Sequence, residues 1–482
     1  MNSSLASQIS QLRKPKWADL SSLLQVATAA LGKTGCESIT LLGCGSYNYV
    51  YRIAFDDGSD VAASIPNADE EDFVPATKRS EIATIRFVSE SGLYPHISVP
   101  KVHASDLTFA NPVGAPYILM DVVKGVTLND AISHDKELRG LDALGAEDQL
   151  RVVNVMAKIQ ASLSQPVPFD RLGSLVDSTT KGFVVAEGIS LTGDVLGGPW
   201  KSISDMWYWL LEREVVRAMN EWSTLEKDEL PDSFGQYTPQ KFGRLLQTLS
   251  ALIPYFVPPP LYLTLVLHHP DLALRNIVVD PHDYSKVNGI IDWGGAQILP
   301  LMLTAHYPHD LLTEGDDPCE RPGHPDEGWN TVPHDWTSLG DTTAWAEEFR
   351  GEGDRVDMTT RAAAMVKRYY LRQHFGACFA RALHEVHGDT DLLRATVFTD
   401  APYYLKFHEV LTGGYIAWFR HEEWIMETFA RLHVAGHIPG RLILGPNVYT
   451  ASVENVVCDL SFVESSEQGQ RQENEEKTDY DE

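Results

Sequence analysis

Apolar positions change their period along the chain. Between residues 37 and 66 they alternate or cluster in short runs. Ser38–Leu42 is apolar and β-prone, and Tyr49–Phe55 alternates. The turn Asp56-Asp57-Gly58-Ser59 follows, then Val61–Ile65. This order predicts a hairpin with a third strand beside it. Over Ser80–Ser89, Ile82, Ile85 and Val88 fall along one side, which predicts a helix. Pro116–Val123 reads as a buried strand, and Gly125 follows it. From about Asp142 the period becomes helical. Val152, Val155, Ile159 and Leu163 form one stripe, and Met206–Met219 forms another amphipathic helix. Two short strands interrupt, Asn276–Asp280 and Val287–Asp292. A Pro/Gly/Asp-rich loop from His306 to Trp336 precedes closing helices that include Thr360–Phe375 and Tyr415–Val434. No internal repeat is visible.

Composition narrows the class. The chain has 482 residues and a formal charge of −28. That balance argues against a broad nucleic-acid surface, which needs clustered Lys and Arg. It equally disfavours an anionic membrane surface. Glu464–Glu482 holds eight acids and two bases, so six of the negative charges lie there and −22 remains elsewhere. Almost nothing apolar follows Val463, so residues 461–482 are expected to be a disordered acidic tail. Five cysteines are odd in number and widely spaced, with no Cys-x-x-Cys pair. This suits a reducing compartment and excludes a disulfide framework or zinc ribbon. No apolar run reaches the roughly 18 residues a bilayer span requires. The N-terminus is Ser-rich, carries Arg13, Lys14 and Lys16, and has no acid before Asp19. A plain helix is the expectation there, with a faint presequence character as the alternative.

The chemistry concentrates in Leu267-His268-His269-Pro270-Asp271-Leu272-Ala273-Leu274-Arg275-Asn276-Ile277-Val278-Val279-Asp280. It contains His-x-Asp-x4-Asn ahead of an apolar strand. Sixteen residues after Asn276 stands Asp292, within Ile290-Ile291-Asp292-Trp293. A loop Asp can orient a substrate hydroxyl, or take its proton, as a phosphoryl group departs. An Asn five residues later and an Asp at the end of the partner strand offer the hard oxygen ligands Mg²⁺ prefers. His269 reads as a structural hydrogen-bonder of that loop, and His268 as a strand-end residue.

These segments resemble the catalytic and metal-binding motifs of the aminoglycoside phosphotransferase family, a small-molecule branch of the protein-kinase-like superfamily. Pro270 stands where protein kinases have Arg, and Trp293 where they have Phe. The resemblance extends over roughly residues 38 to 440. Leu42-Gly43-Cys44-Gly45-Ser46-Tyr47-Asn48-Tyr49-Val50-Tyr51 sits where the family has its phosphate-covering hairpin. Ser80-Glu81-Ile82-Ala83-Thr84 resembles the start of the helix with the ion-pair Glu. Tyr117-Ile118-Leu119-Met120-Asp121 resembles the strand leading to the adenine hinge. Gly173-Ser174-Leu175 and Gly198-Pro199-Trp200 are similar to the fungal subgroup that includes the altered inheritance of mitochondria proteins.

The resemblance implies an α+β, bilobed protein-kinase-like fold, with a small antiparallel β-rich N-lobe and a large helical C-lobe. The expected division is 1–35 as an N-terminal helical extension, 36–124 as the nucleotide lobe, 125–460 as the helical lobe and 461–482 as the tail. It implies an ATP- and Mg²⁺-dependent kinase acting on a hydroxyl of a small molecule. Asp271 is then catalytic, and Asn276 and Asp292 hold the metal. Gly43, Gly45, Ser46, Val50, Ala62, Glu81 and Met120 serve the nucleotide. The expected partners are a nucleotide and a small-molecule acceptor, with no nucleic acid. The expected location is the cytoplasm, with mitochondria as the alternative. Aminoglycosides, choline-like amines, sugars and secondary metabolites all stay open as acceptors.

One departure bears on activity. The family pattern expects Lys or Arg on the third strand, and Ser64 stands there. No Lys or Arg occurs from Ile53 to Thr77. This motivates the alternative of a catalytically impaired pseudokinase with a binding or regulatory role. Lys78 or Arg79 on the following helix could substitute for that base, but both look exposed and read as surface charge. Two further patterns read as loop residues: His306-x-x-His309, which lacks a third spaced ligand, and His324-Pro325-Asp326, which lacks a following strand and Asn. The acids Glu314, Asp316, Asp317, Glu320 and Asp326 read as a solvated loop.

Overall fold

A computed structural model describes residues 3–133, 140–178, 180, 182–190, 192–224, 239–312, 354–387 and 397–436. The expected acidic tail, the His324-Pro325-Asp326 sequence and the acids from Glu314 to Asp326 lie outside the described residues. Contacts divide the chain into two compact units. The first comprises Met1–Pro199 and Thr264–Asp400, the second Trp200–Leu263 and Ala401–Glu482.

The first unit begins with two helices, α1 (Ser3–Gln11) and α2 (Leu20–Ala30). Asp19 caps α2 by accepting from the Ser21 N–H. Five strands follow: β1 (Cys36–Cys44), β2 (Asn48–Phe55), β3 (Asp60–Pro66), β4 (Val102–Asp106) and β5 (Tyr117–Met120). They form one antiparallel sheet in the order β1-β2-β3-β5-β4. One face of this sheet is buried under the N-terminal helices. Leu20, Leu23 and Leu24 pack with Ile53, Phe55, Val61, Ala63, Ile65 and Leu119. The N-terminal helices therefore belong to the core of the sheet. Side chains alternate along a strand, so Val50, Ala62, Ser64, Ile118 and Met120 turn to the opposite face.

Between β3 and β4 runs α3 (Pro75–Glu90), with proline in its first turn, where the missing N–H costs nothing. Ile85, Phe87 and Val88 are buried. Phe87 packs against Phe169, Phe183 and Tyr94, and Arg86 pairs with Asp177. Two further strand pairs occur where the sequence reading expects helix. β7 (Ser174–Ser178) pairs with β8 (Gly182–Ala186), and β9 (Gly188–Ile189) with β10 (Val195–Gly197). They are two to five residues long and mostly half-exposed, so they leave little apolar alternation to read. The β7–β8 hairpin supports the helix that carries Glu81.

The stripe Val152, Val155, Ile159 and Leu163 is buried in α5 (Ala146–Leu163), which follows a short α4 (Leu128–Ile132). The segment that contains Asp271, Asn276 and Asp292 is built around two small sheets. β11 (Leu265–His268) pairs with β14 (Gln297–Pro300). β12 (Ile277–Asp280) lies between β13 (Asp283–Ile290) and the two-residue β6 (Val126–Thr127). β6 brings the chain after β5 against β12, and Gly125 makes that approach possible. Its φ is +129°, and a Cβ there would lie 2.1 Å from the Val279 carbonyl oxygen. Gly125→Ala is expected to destabilise the fold by about 3 kcal/mol, measured as a lower urea midpoint with an unchanged slope.

The second unit has its own aromatic core. α6 (Ile203–Thr224) and α7 (Pro239–Phe256) contribute Trp207, Phe242 and Phe256. After α8 (Leu301–Thr304) and α9 (Asp354–His387) of the first unit comes α10 (Val397–Thr412), whose Phe407 stacks on Phe256. The expected helix Tyr415–Val434 is two helices, α11 (Gly414–Arg420) and α12 (Glu422–Val434), broken at His421. Glu422 and Glu423 stand in the first turn of α12, where the helix dipole favours acids. Among the described residues, no helix is long and apolar enough to cross a membrane.

Candidate functional site

The loop after β11 is organised around His269. This ring is buried, and its Nε2 lies 3.2 Å from the Ile291 carbonyl, to which it donates. Its Nδ1 accepts the backbone N–H of Asp271 at 3.2 Å. Burial pushes its pKa down to about 4, so the ring is neutral at pH 7. Trp293 packs beside it, with ring centroids 4.7 Å apart, and donates its indole N–H to the Ile290 carbonyl. His269 thus fastens the Asp271 loop to the segment before Asp292. Its one ring N–H is committed to the Ile291 carbonyl.

Asp271 is bound on both oxygens. Asn276 donates its amide Nδ2 to Asp271 Oδ2 at 2.8 Å and to the Asp271 carbonyl at 2.8 Å. Arg275 donates to Oδ1. A short 3₁₀ turn, Leu274–Asn276, creates this arrangement by folding the chain back before β12. Asp310 anchors the turn by accepting the Leu274 N–H at 2.9 Å. Both amide hydrogens of Asn276 face Asp271, which leaves its carbonyl oxygen for another partner.

Asp292 follows β13 with φ = +63°, the only positive φ at a non-glycine among the described residues. Asp tolerates this region better than most residues, yet such a conformation persists only where the surroundings enforce it. Burial pushes its pKa up to about 6. Glu81 and Asp271 add to the rise by repulsion, while Lys78 and Arg275 oppose it. The expected catalytic Asp, metal-side Asp and helix Glu therefore share one electrostatic neighbourhood within the first unit.

The strand residues expected to serve a nucleotide share one face. Ala62 is the direct strand partner of Met120, and Ser64 pairs with Val50 on one side and Ile118 on the other. All lie opposite the face covered by α1 and α2. Gly43 lies one residue before the end of β1, opposite Val50, and Gly45 and Ser46 lie in the exposed turn. Neither glycine has a positive φ, and a Cβ at either would meet nothing within 4 Å. The hairpin backbone itself does not demand glycine there.

Lys78 departs from expectation. It is buried rather than a surface charge, and its Nζ lies 2.6 Å from Glu81 Oε2. Glu81 therefore has a cationic partner, one turn earlier on its own helix. The signal was present in the spacing. Lys78, Glu81, Ile85 and Val88 recur at intervals of three and four, which puts Lys78 on the buried stripe. Arg79 is exposed, as expected. Sequence reasoning also passed over Arg275, four residues from Asp271. His306 and His309 are both exposed.

The donor set suits magnesium delivered with a phosphate ligand. Asn276 and Asp292 supply hard oxygens beside an excess of carboxylate. Among the described residues, no group of three His, Cys, Asp or Glu side chains is arranged to hold a metal alone. Mg²⁺ commonly binds through one or two protein oxygens, with phosphates and water completing its shell.

An antiparallel sheet with one glutamate-bearing helix, followed by a His-x-Asp-x4-Asn loop and a strand pair ending in Asp, defines a protein-kinase-like α+β fold. Residues 38–303 match the model of the phosphotransferase enzyme family, and the chain belongs to that family. Among curated relatives, a subtelomeric hrmA-associated cluster protein of Aspergillus fumigatus is 27% identical over 338 residues, covering 61% of this chain and 64% of the relative. The altered inheritance of mitochondria protein 9 of Candida tropicalis, named as mitochondrial, is 24% identical over 335 residues, covering 58% and 50%. The chain thus spans less than two thirds of the length of these relatives. Similar solved structures include an aminoglycoside phosphotransferase, APH(4)-Ia, at 12% identity and TM-score 0.40, covering 87% of this chain and 99% of that one. A Plasmodium vivax ethanolamine kinase matches at 11% identity and TM-score 0.33, covering 76% and 82%.

Proposed function

We propose that this chain transfers the γ-phosphoryl group of ATP to a hydroxyl of a small molecule. The observation that carries the reading is the Asp271–Asn276 network in the electrostatic reach of Asp292, whose backbone is held at positive φ. Family membership supports the reaction class.

Asp271 accepts the hydrogen bond of the acceptor hydroxyl and aims its lone pair at phosphorus. As the new P–O bond forms, the hydroxyl proton passes to the Asp271 carboxylate and the bond to the ADP oxygen breaks. Arg275 and Asn276 restrain the carboxylate, so little reorganisation is left for the moment of transfer. Asn276 and Asp292 are the residues that would hold magnesium. When bound, that ion supplies charge neutralisation between the phosphates. Gly43, Gly45 and Ser46 cover the phosphates. Val50, Ala62 and Met120 line the adenine side. Nucleotide binding is thereby assigned to the sheet of 36–124, and acceptor choice to 125–460.

Mg·ATP is expected to raise the thermal midpoint of the full chain, because a ligand at 100 times its dissociation constant contributes about 2.7 kcal/mol. Differential scanning fluorimetry with ATP, with and without Mg²⁺, reads this. No shift at millimolar nucleotide would count against the reading. A second reading, the pseudokinase, is favoured by Ser64 on β3. It predicts the same thermal shift with no consumption of ATP on any acceptor. The mitochondrial names of several relatives support the organellar location over the cytoplasmic one.

A further inference from the structure

Resting on the phosphotransferase reading, we propose that Lys78, placed on α3 rather than on the third strand, is the cation that binds the nucleotide's phosphates.

Four observations carry this. First, the third strand has no cation to offer. Ser64 occupies β3 on the face away from the N-terminal helices, and residues 53–77 contain no Lys or Arg. Second, Lys78 is buried where a surface lysine would not be. Its side chain is 9% exposed and that of Glu81 6%. Taking both charges out of water costs more than one pair returns, so stability alone is a poor reason for the arrangement. An exposed pair at this helical spacing would contribute only a few tenths of a kcal/mol in any case. Third, Lys78 lies within electrostatic range of Asp292, and the other cation in that range, Arg275, already holds Asp271. Fourth, three other bases near the sheet are engaged elsewhere. Arg52 and Lys124 both pair with Asp60, and Arg86 with Asp177.

Glu81 then keeps its role as the carboxylate that positions a cation. The cation has moved from the sheet to the same helix, three residues before the glutamate. A lysine on a four-carbon stem is a compact point charge able to swing from a carboxylate to a phosphate without moving the helix. This explains how a chain of net charge −28 gathers positive charge at a triphosphate without a third-strand base.

The test is performed on the full chain with Mg²⁺ present. Affinities for ATP and for adenosine are measured by calorimetry on the native chain, Lys78→Met, Lys78→Met/Glu81→Gln and Lys78→Met/Ser64→Lys. Lys78→Met is expected to weaken ATP by about 10- to 100-fold, the worth of a hydrogen bond to a charged group, and to leave adenosine within twofold. Ser64→Lys in the Lys78→Met background is expected to recover part of the ATP affinity. If the single variant fails to fold because Glu81 is left unpaired, the Lys78→Met/Glu81→Gln variant carries the same comparison. Equal losses for ATP and adenosine, or no loss, would overturn the assignment. A native chain that binds neither ligand would instead overturn the phosphotransferase reading beneath it. A second measurement needs no variant. An acyl-phosphate derivative of ATP should acylate Lys78, with protection by excess ATP, as read by peptide mass spectrometry. ATP-protected labelling at other lysines alone would contradict the proposal.

Discussion

Asp271→Asn is expected to reduce phosphoryl transfer by about 10³-fold, the usual worth of a positioned general base. The loss should fall on kcat, because in the proposed mechanism Asp271 meets the acceptor hydroxyl and not the nucleotide. Mg·ATP affinity should stay within about threefold of native. A modest stability cost should accompany it. Arg275 and Asn276 are both donors, one to each oxygen of Asp271. An asparagine presents one acceptor and one donor, so one partner is left facing an N–H group. About 1–2 kcal/mol of lost stability follows, readable by urea unfolding. A variant that folds well and retains native kcat would remove Asp271 from the mechanism.

Asp292→Asn should act in opposite directions on activity and stability. Transfer should become undetectable, or fall by about 10²–10³-fold, through the loss of an anionic oxygen for magnesium. The magnesium-free protein should become more stable at neutral pH. The folded-state pKa of Asp292 is about 6, against an ordinary value of 3.8, so the folded state holds this proton more tightly than the unfolded chain. The contribution is fully present below about pH 4, declines as pH rises toward 6, and is absent above that. At pH 7.5 the ionised, half-buried carboxylate costs about 1–2 kcal/mol after allowance for solvent. Asparagine removes that cost and tolerates the positive φ as well as aspartate does. The native chain should therefore lose stability between pH 4 and 6 relative to Asp292→Asn, and added Mg·ATP should close the gap. Equal pH profiles for the two proteins would contradict the electrostatic account of this site.

The sheet was legible because its strands are covered on one face by α1 and α2, and half-burial writes alternation into Tyr49–Phe55. α5 was legible for the equivalent reason at helical period. The strand pairs between Ser174 and Gly197 were not, since they are short and bury little. The break at His421 was missed because Tyr415, Trp418, Phe419 and Ile425 keep an apolar spacing across it. The nearness of Asp271, Asn276 and Asp292 was legible in their spacing, because a loop, a 3₁₀ turn and a strand pair convert sequence distance directly into proximity. Lys78 shows the opposite limit. Its charge argued for the surface, whereas its position in the stripe with Glu81, Ile85 and Val88 argued for burial, and only the fold decides between them.

The central claim is most directly tested by magnesium-dependent consumption of ATP with water, and then a panel of small-molecule alcohols, as acceptors. The native chain and Asp271→Asn are compared at equal folded fraction. The account predicts slow hydrolysis that needs Mg²⁺, acceleration by at least one alcohol, and loss of both in Asp271→Asn. Tight Mg·ATP binding with no turnover by the native chain, or equal turnover by Asp271→Asn, would contradict it.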